Sequence, residues 1–162
     1  MEFENGEIEG VRIRPLTKHL DERGFLVETY RTDEFPEDVR PVMSYVSSTE
    51  PGQSRGPHEH ADQTDTFSFI GPGNFKIYLW DNRNRSETFG NRMIVFAGED
   101  RHLSLTIPPG IVHAYRNISR LKPGLVINYP NRLYAGAGKK ERVDEVRHED
   151  AEDHFYRDFQ ST

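Results

Sequence analysis

Two short segments of this 162-residue chain concentrate the side chains that could do chemistry. The first is Arg55-Gly56-Pro57-His58-Glu59-His60, followed by Gln63 and Asp65. On an extended strand, residues i and i+2 share a face, so His58 and His60 project together while Glu59 points away. The second is Pro108-Pro109-Gly110-Ile111-Val112-His113-Ala114-Tyr115-Arg116-Asn117, where Pro-x-Gly turns the chain into a strand that carries His113 inward. Three imidazoles and a carboxylate admit two chemistries. With Asp65 or Gln63, neutral His58, His60 and His113 suit a divalent transition metal such as Zn, Fe, Ni or Cu. Without a metal, one histidine serves as a proton-transfer base. A lone strand histidine is usually just a satisfied polar group, so the weight rests on the two segments together.

Short strands must position these residues. Val11–Leu16 alternates, Phe25–Tyr30 is rich in β-formers, and Pro41–Ser47 carries Val42, Tyr45 and Val46. Thr66–Ile70 runs into the turn Gly71-Pro72-Gly73, with Phe75–Trp80 read as its hairpin partner. Met93–Phe96, His102–Ile107, His113–Ile118 and Leu125–Tyr129 complete the series. Runs of this length, punctuated by Gly, Pro, Asn and Asp about every ten residues, predict an all-β sandwich or barrel of jelly-roll type. Helical period shows only weakly after Val143, so a short helix packed on the barrel or on a partner subunit is expected there.

Composition bounds the rest. The length suits a single domain, and 11% aromatic residues argue against disorder. A net charge of −6 is the wrong sign for a protein that grips nucleic acid through its phosphates. The absence of cysteine removes disulfides and thiolate chemistry. No apolar run approaches membrane-spanning length, and the acidic start lacks the pattern of a signal peptide, so a cytoplasmic protein is expected.

The two histidine segments resemble the two cupin signatures, a Gly-led H-x-H with an acidic or amide residue soon after, and P-x-G-x-x-H-x-x-x-N. The second is matched at every fixed position. The expectation is therefore one cupin domain over residues 1–162: a jelly-roll β-barrel core over about 8–135, then a short helical or irregular C-terminal tail over 136–162. Flanking residues narrow the resemblance. Asp21-Glu22-Arg23-Gly24-Phe25-Leu26-Val27-Glu28-Thr29-Tyr30 is similar to the D-x-R-G-x-F-x-E-x-[FY] stretch of the dTDP-4-dehydrorhamnose 3,5-epimerases, with Leu26 at the family's Phe. Ser54-Arg55-Gly56-Pro57-His58 resembles their L-R-G-L-H, and Trp80–Gly90 their V-D-x-R-x-x-S-x-T-F-G. Ile107–Tyr115 resembles their I-P-x-G-x-A-H-G-F, and the four stretches occur in family order.

That resemblance implies an isomerase of 4-keto-6-deoxy sugars linked to a nucleoside diphosphate, acting by proton transfer beside the ketone without a cofactor. By position, His58 is the base and Arg55 holds the diphosphate. Arg23 and Glu28 contact phosphate and nucleoside across a homodimer interface, His113 lies in the pocket, and Tyr134 stacks on the substrate. The departures are specific. Asp65 stands where the family carries a lysine for the enolate oxygen, and Pro57 and His60 replace its Leu and Gln. The place of its acidic tyrosine falls on Asn128, with Tyr129 adjacent and available only if a bulge near Lys122-Pro123-Gly124 shifts the register. Asp144, Asp153 and Asp158 are candidates for the aspartate that partners the base. The same departures favour the second expectation, a metal held by His58, His60, His113 and Asp65 or Gln63. A third is a non-catalytic module that retains the sugar-nucleotide pocket.

Overall fold

In the computed structural model, residues 2–149, Tyr156 and Phe159 are described. Asp153 and Asp158, two of the candidate partners of the base, lie outside them. The strands are β1 (Glu4–Asn5), β2 (Arg12–Pro15), β3 (Lys18–Asp21), β4 (Gly24–Val27), β5 (Tyr45–Thr49), β6 (Ser54–Glu59) and β7 (Asp65–Phe69). They continue as β8 (Asn74–Asp81), β9 (Asn91–Gly98), β10 (Leu103–Ile107), β11 (Ile111–Asn117), β12 (Gly124–Asn128) and β13 (Val146–Arg147). One sheet has the order β1-β9-β8-β11-β6-β13, the facing sheet β2-β10-β7-β12-β5, and β3–β4 form a separate ribbon. Every pairing is antiparallel except the short β1–β9 contact. This is the expected all-β jelly roll.

The core follows from strand alternation. Phe67 and Phe69 of β7 meet Phe75, Ile77 and Leu79 of β8, with Leu103, Leu105, Tyr115 and Val126 between the sheets. β8 and β11 are buried on their outer faces too, where Tyr78, Trp80, Val112 and Ala114 pack with Phe159 and Tyr156. That double burial explains why Phe75–Trp80 is almost continuously apolar.

Three expectations change. β7 and β8 are not a hairpin: β7 pairs with β10 and β12, β8 with β9 and β11, so Gly71-Pro72-Gly73 carries the chain from one sheet to the other. Tight turns and sheet crossings share the same residues, and only long-range pairing separates them. Of the stretch after Val143, where a short helix is expected, Val146–Arg147 form a strand, β13, on the β6 edge, with Val146 opposite Glu59 and Arg147 opposite His58, while Tyr156 and Phe159 lie in 3-10 turns packed on the barrel. Pairing with an open edge overrides weak local preference. β12 keeps an unbroken register from Gly124 to Asn128 against β5, so no bulge near Lys122-Pro123-Gly124 turns Tyr129 inward. Among the described residues, no helix is long and apolar enough to cross a membrane.

Candidate active site

The irregularity that shapes the site lies between β6 and β11. Their register runs from His113 opposite His58 to Tyr115 opposite Arg55, so Gly56 and Pro57 together face the single residue Ala114. Gly56 has φ +79°, and a Cβ there would lie 2.4 Å from the His113 carbonyl oxygen. Only glycine accepts both that conformation and that approach. The extra residue re-aims the strand so that Arg55 and His58 both face one cavity.

Four elements deliver the histidine cluster. His58 comes from β6, His60 from just beyond its end, His113 from β11 and Asp65 from the first position of β7 on the facing sheet. Their donor atoms all lie within 4.8 Å of one another. Asp65 is buried, and its two oxygens are treated differently. Oδ1 accepts hydrogen bonds from Gln63 Nε2 and Asn128 Nδ2, both at 2.9 Å. Oδ2 faces His60 Nε2 at 3.1 Å and His113 Nε2 at 3.5 Å. Each of these rings is pinned from behind. His113 Nδ1 donates to the Ile111 carbonyl at 3.0 Å, and His60 Nδ1 to the Asp144 carbonyl.

Charge follows geometry. Burial opposes ionisation of Asp65, but the His113 and His60 rings facing it outweigh it and hold the carboxyl far below the usual range. Burial opposes protonation of His60, yet the Asp65 carboxylate raises it above the ordinary imidazole value. His58 goes the other way: burial, then the charge of His113 and His60, pushes it down to about 2. It is therefore a neutral imidazole, and it makes no hydrogen bond to a described residue.

His58 and His60 face a cavity of about 850 Å³, a size ordinary for small-molecule sites. Arg55 and Tyr134 line it as expected, together with Tyr45, Arg142, Arg147 and Glu149. The Arg55 guanidinium is steadied by Thr49 Oγ1 and the Ser48 carbonyl, which leaves other N–H groups for a ligand. His113 and Asn128 belong to the buried cluster beneath, 2% and 1% exposed, and neither lines the cavity.

Other expected residues are not brought together. Tyr129 lies outside the cavity, its hydroxyl 2.7 Å from Thr29 Oγ1 and its ring stacked on Tyr30. Arg23 is paired with Asp21 at the tip of the β3–β4 ribbon, and Glu28 lies 3.5 Å from Arg31; neither lines this subunit's cavity. Asp144 does not partner His58. Its carboxylate accepts from the backbone N–H groups of Ala61, Asp62 and Gln63 and so shapes the turn between the histidines and Asp65.

Tyr45 is the residue that sequence reasoning missed. It sits opposite Asn128 on β5, lines the cavity and accepts a hydrogen bond from Asn128 Nδ2 at 2.8 Å. Burial raises its hydroxyl to about 12, more than the Asn128 hydrogen bond lowers it. Its β-strand was legible, but its pairing with β12 was not.

The Asp81 motif is a turn rather than a site. Asp81 accepts hydrogen bonds from the Arg83 backbone and guanidinium, from Ser86 Oγ at 2.7 Å and from Thr88 Oγ1 at 2.6 Å.

Known proteins match this arrangement. The family profile described as dTDP-4-dehydrorhamnose 3,5-epimerase matches residues 5–134. A protein of Haloferax volcanii named as a probable low-salt glycan biosynthesis epimerase is 36% identical over 129 residues, covering 78% of this chain and 81% of that one. A dTDP sugar isomerase of Desulfovibrio desulfuricans superposes with a TM-score of 0.77 at 24% identity, over 89% of this chain and 87% of the other. The dTDP-6-deoxy-D-glucose-3,5-epimerase of Legionella pneumophila, in complex with dTDP-4-keto-L-rhamnose, gives 0.73 at 22% identity, over 90% and 76%. With four motifs in order, the H-x-H and His113 segments converging on one cluster, and a profile spanning most of the chain, this protein belongs to the dTDP-4-dehydrorhamnose 3,5-epimerase family.

Proposed function

We propose that this protein epimerises a 4-keto-6-deoxyhexose carried on dTDP, removing a proton beside the ketone and returning one to the opposite face. The observation that carries the reading is geometric: His58 stands on the wall of the cavity that Arg55 also lines. A base must present a lone pair to the substrate, and His58 has one that no described residue occupies. Arg55 meets the diphosphate, for which its planar donor fork is suited. Tyr134, 58% exposed at the rim, stacks on the substrate. Tyr45, protonated at neutral pH, is the acid on the other side, in place of Tyr129. The ligand of the Legionella relative supports the substrate class.

A homodimer completes the site. Arg23 and Glu28 lie away from their own cavity, on a ribbon that exposes Leu20, Phe25 and Leu26. Covering that ribbon with a second subunit buries apolar surface and delivers Arg23 to the partner's diphosphate. The reading includes action in the cytoplasm, in keeping with a family named for a dTDP-linked substrate.

The reading is tested by incubating the protein with a dTDP-4-keto-6-deoxyhexose in heavy water. Deuterium uptake at C3 or C5, abolished in His58→Ala, is expected. No uptake with the unaltered protein refutes the proposal for that substrate.

A further inference from the structure

We propose that Arg147 donates to the C4 oxygen of the substrate as the enolate forms, supplying the positive charge that Asp65, in the place of the family's lysine, does not. The assignment rests on the epimerase reading above. To the base and the acid it adds the third group that proton transfer beside a ketone needs.

The position comes from register. Arg147 stands directly opposite His58 across the β6–β13 pairing, and His113 stands opposite His58 on the other side. Opposed residues on neighbouring strands share a face, with Cβ atoms about 4.5–5.5 Å apart. Alternation along the segment sorts its other side chains. Glu145, Arg147 and Glu149 line the cavity. His148 turns the other way, its Nε2 2.9 Å from Glu59 Oε1 and its ring beside Tyr156. The segment is tied to the bulge at two points: the His148 N–H donates to the Pro57 carbonyl at 2.9 Å, and Glu149 Oε1 accepts from the Gly56 N–H at 3.1 Å. Arg147 is therefore held at the base by strand pairing, although it lies far from His58 in sequence.

The cavity has a cation at each end of β6. Arg55 lies near the start of the strand, opposite Tyr115, and Arg147 lies beside its end. Three residues of strand span up to about 10 Å, enough to carry a hexose ring past a diphosphate held by Arg55. The second guanidinium then meets the sugar rather than the phosphates. A ketone oxygen lies near the plane of the ring, between the faces that base and acid approach. The Glu145–Arg147 pair occupies that intermediate place: the charge of Arg147 is felt by His58, and the charge of Glu145 by the Tyr45 hydroxyl. Arg147 Nε donates to Glu145 Oε2 at 2.9 Å, which steadies the guanidinium, and no described residue takes its Nη groups. Guanidinium keeps its charge at any working pH and offers paired N–H donors to an oxyanion.

The step balances without a further reactant. His58 takes the proton from the carbon beside the ketone. The electron pair of the broken C–H bond forms the C=C bond, and a carbonyl pair moves onto the C4 oxygen, where Arg147 holds it. On return, Tyr45 gives its proton to the opposite face of the carbon and the C4 carbonyl re-forms. The imidazolium and phenolate that remain are reset by proton exchange with water in the open cavity.

The test is steady-state deuterium exchange into a dTDP-4-keto-6-deoxyhexose by Arg147→Gln and Arg147→Lys, beside dTDP binding by calorimetry and melting temperature. The side chain is 65% exposed, so both variants are expected to fold with an unchanged melting temperature. Arg147→Gln should lower kcat for exchange about 10²-fold, the usual worth of an oxyanion donor, with dTDP affinity retained. Arg147→Lys should recover part of the loss, and added guanidinium should restore part of it to Arg147→Ala. Undiminished kcat in folded Arg147→Gln overturns the assignment while leaving the epimerase reading intact. A loss confined to KM, or matched by an equal loss of dTDP affinity, makes Arg147 a binding group and overturns it as well. No exchange by the unaltered protein refutes the epimerase reading, and this assignment falls with it.

Discussion

Two polar clusters, each carried by a family motif, stand at the same end of β8 and β11 and have opposite characters. Asp81 is fully buried and surrounded by donors: Arg83 contributes backbone and guanidinium, Ser86 and Thr88 their hydroxyls. Its demand for hydrogen bonds is met within one turn. The histidine cluster is assembled from both sheets and remains incomplete, with His113 Nε2 3.5 Å from Asp65 Oδ2 but without a hydrogen bond, and His58 facing a cavity without one, among the described residues. A satisfied cluster holds the fold; an unsatisfied one in a cavity wall is available to a ligand. Motif resemblance treats the two alike, and hydrogen-bond completeness separates them.

The sharpest break between them is expected from His58→Ala and Asp81→Ala. The first should lower deuterium exchange into the keto sugar by about 10²–10⁴-fold, the usual worth of a positioned base, while shifting the melting temperature little. The second should do the reverse. Leaving Arg83 and two hydroxyls around an empty site costs about 3 kcal/mol, read by urea unfolding, with exchange per folded molecule preserved.

Gly56→Ala tests whether the bulge serves both the fold and the site. The added methyl meets the His113 carbonyl at positive φ, so a loss of about 2 kcal/mol is expected, together with weaker exchange because Arg55 and His58 lose their common aim. Unchanged exchange would separate the bulge from the site.

Acid should weaken the Asp81 cluster. Burial tends to raise this carboxyl, and hydrogen bonds from Arg83, Thr88 and Ser86 prevail, holding it at about 2. Its folded value lies below the unfolded value of about 3.9, so its stabilisation is complete above that pH and is lost as pH falls toward 2. Asp81→Asn should therefore flatten acid unfolding between about pH 4 and 2, measured by circular dichroism.

The smallest effects distinguish the two tyrosines. Tyr45→Phe should slow exchange about tenfold or more with little change in stability. Tyr129→Phe should leave exchange unaltered and cost about 1 kcal/mol through its hydrogen bond with Thr29. The opposite ranking would return the acid role to Tyr129.

From sequence alone, strand period and turn residues determined the all-β class and most strands, because alternation is local and survives without knowledge of partners. The i, i+2 spacing determined that His58 and His60 point together, and the Pro-x-Gly turn that His113 points inward. Tertiary structure decided what depends on pairing across long distances. It separated β7 from β8 into different sheets, drew the segment after Val143 onto β6 as a strand, and put Asn128 rather than Tyr129 toward Asp65. It also set Tyr45 opposite Asn128 and bound Asp144 to the turn after His60 rather than to His58. Each of these turns on register, in which a shift of one residue reverses a side chain's face, and register is fixed by packing between segments that no short motif spans.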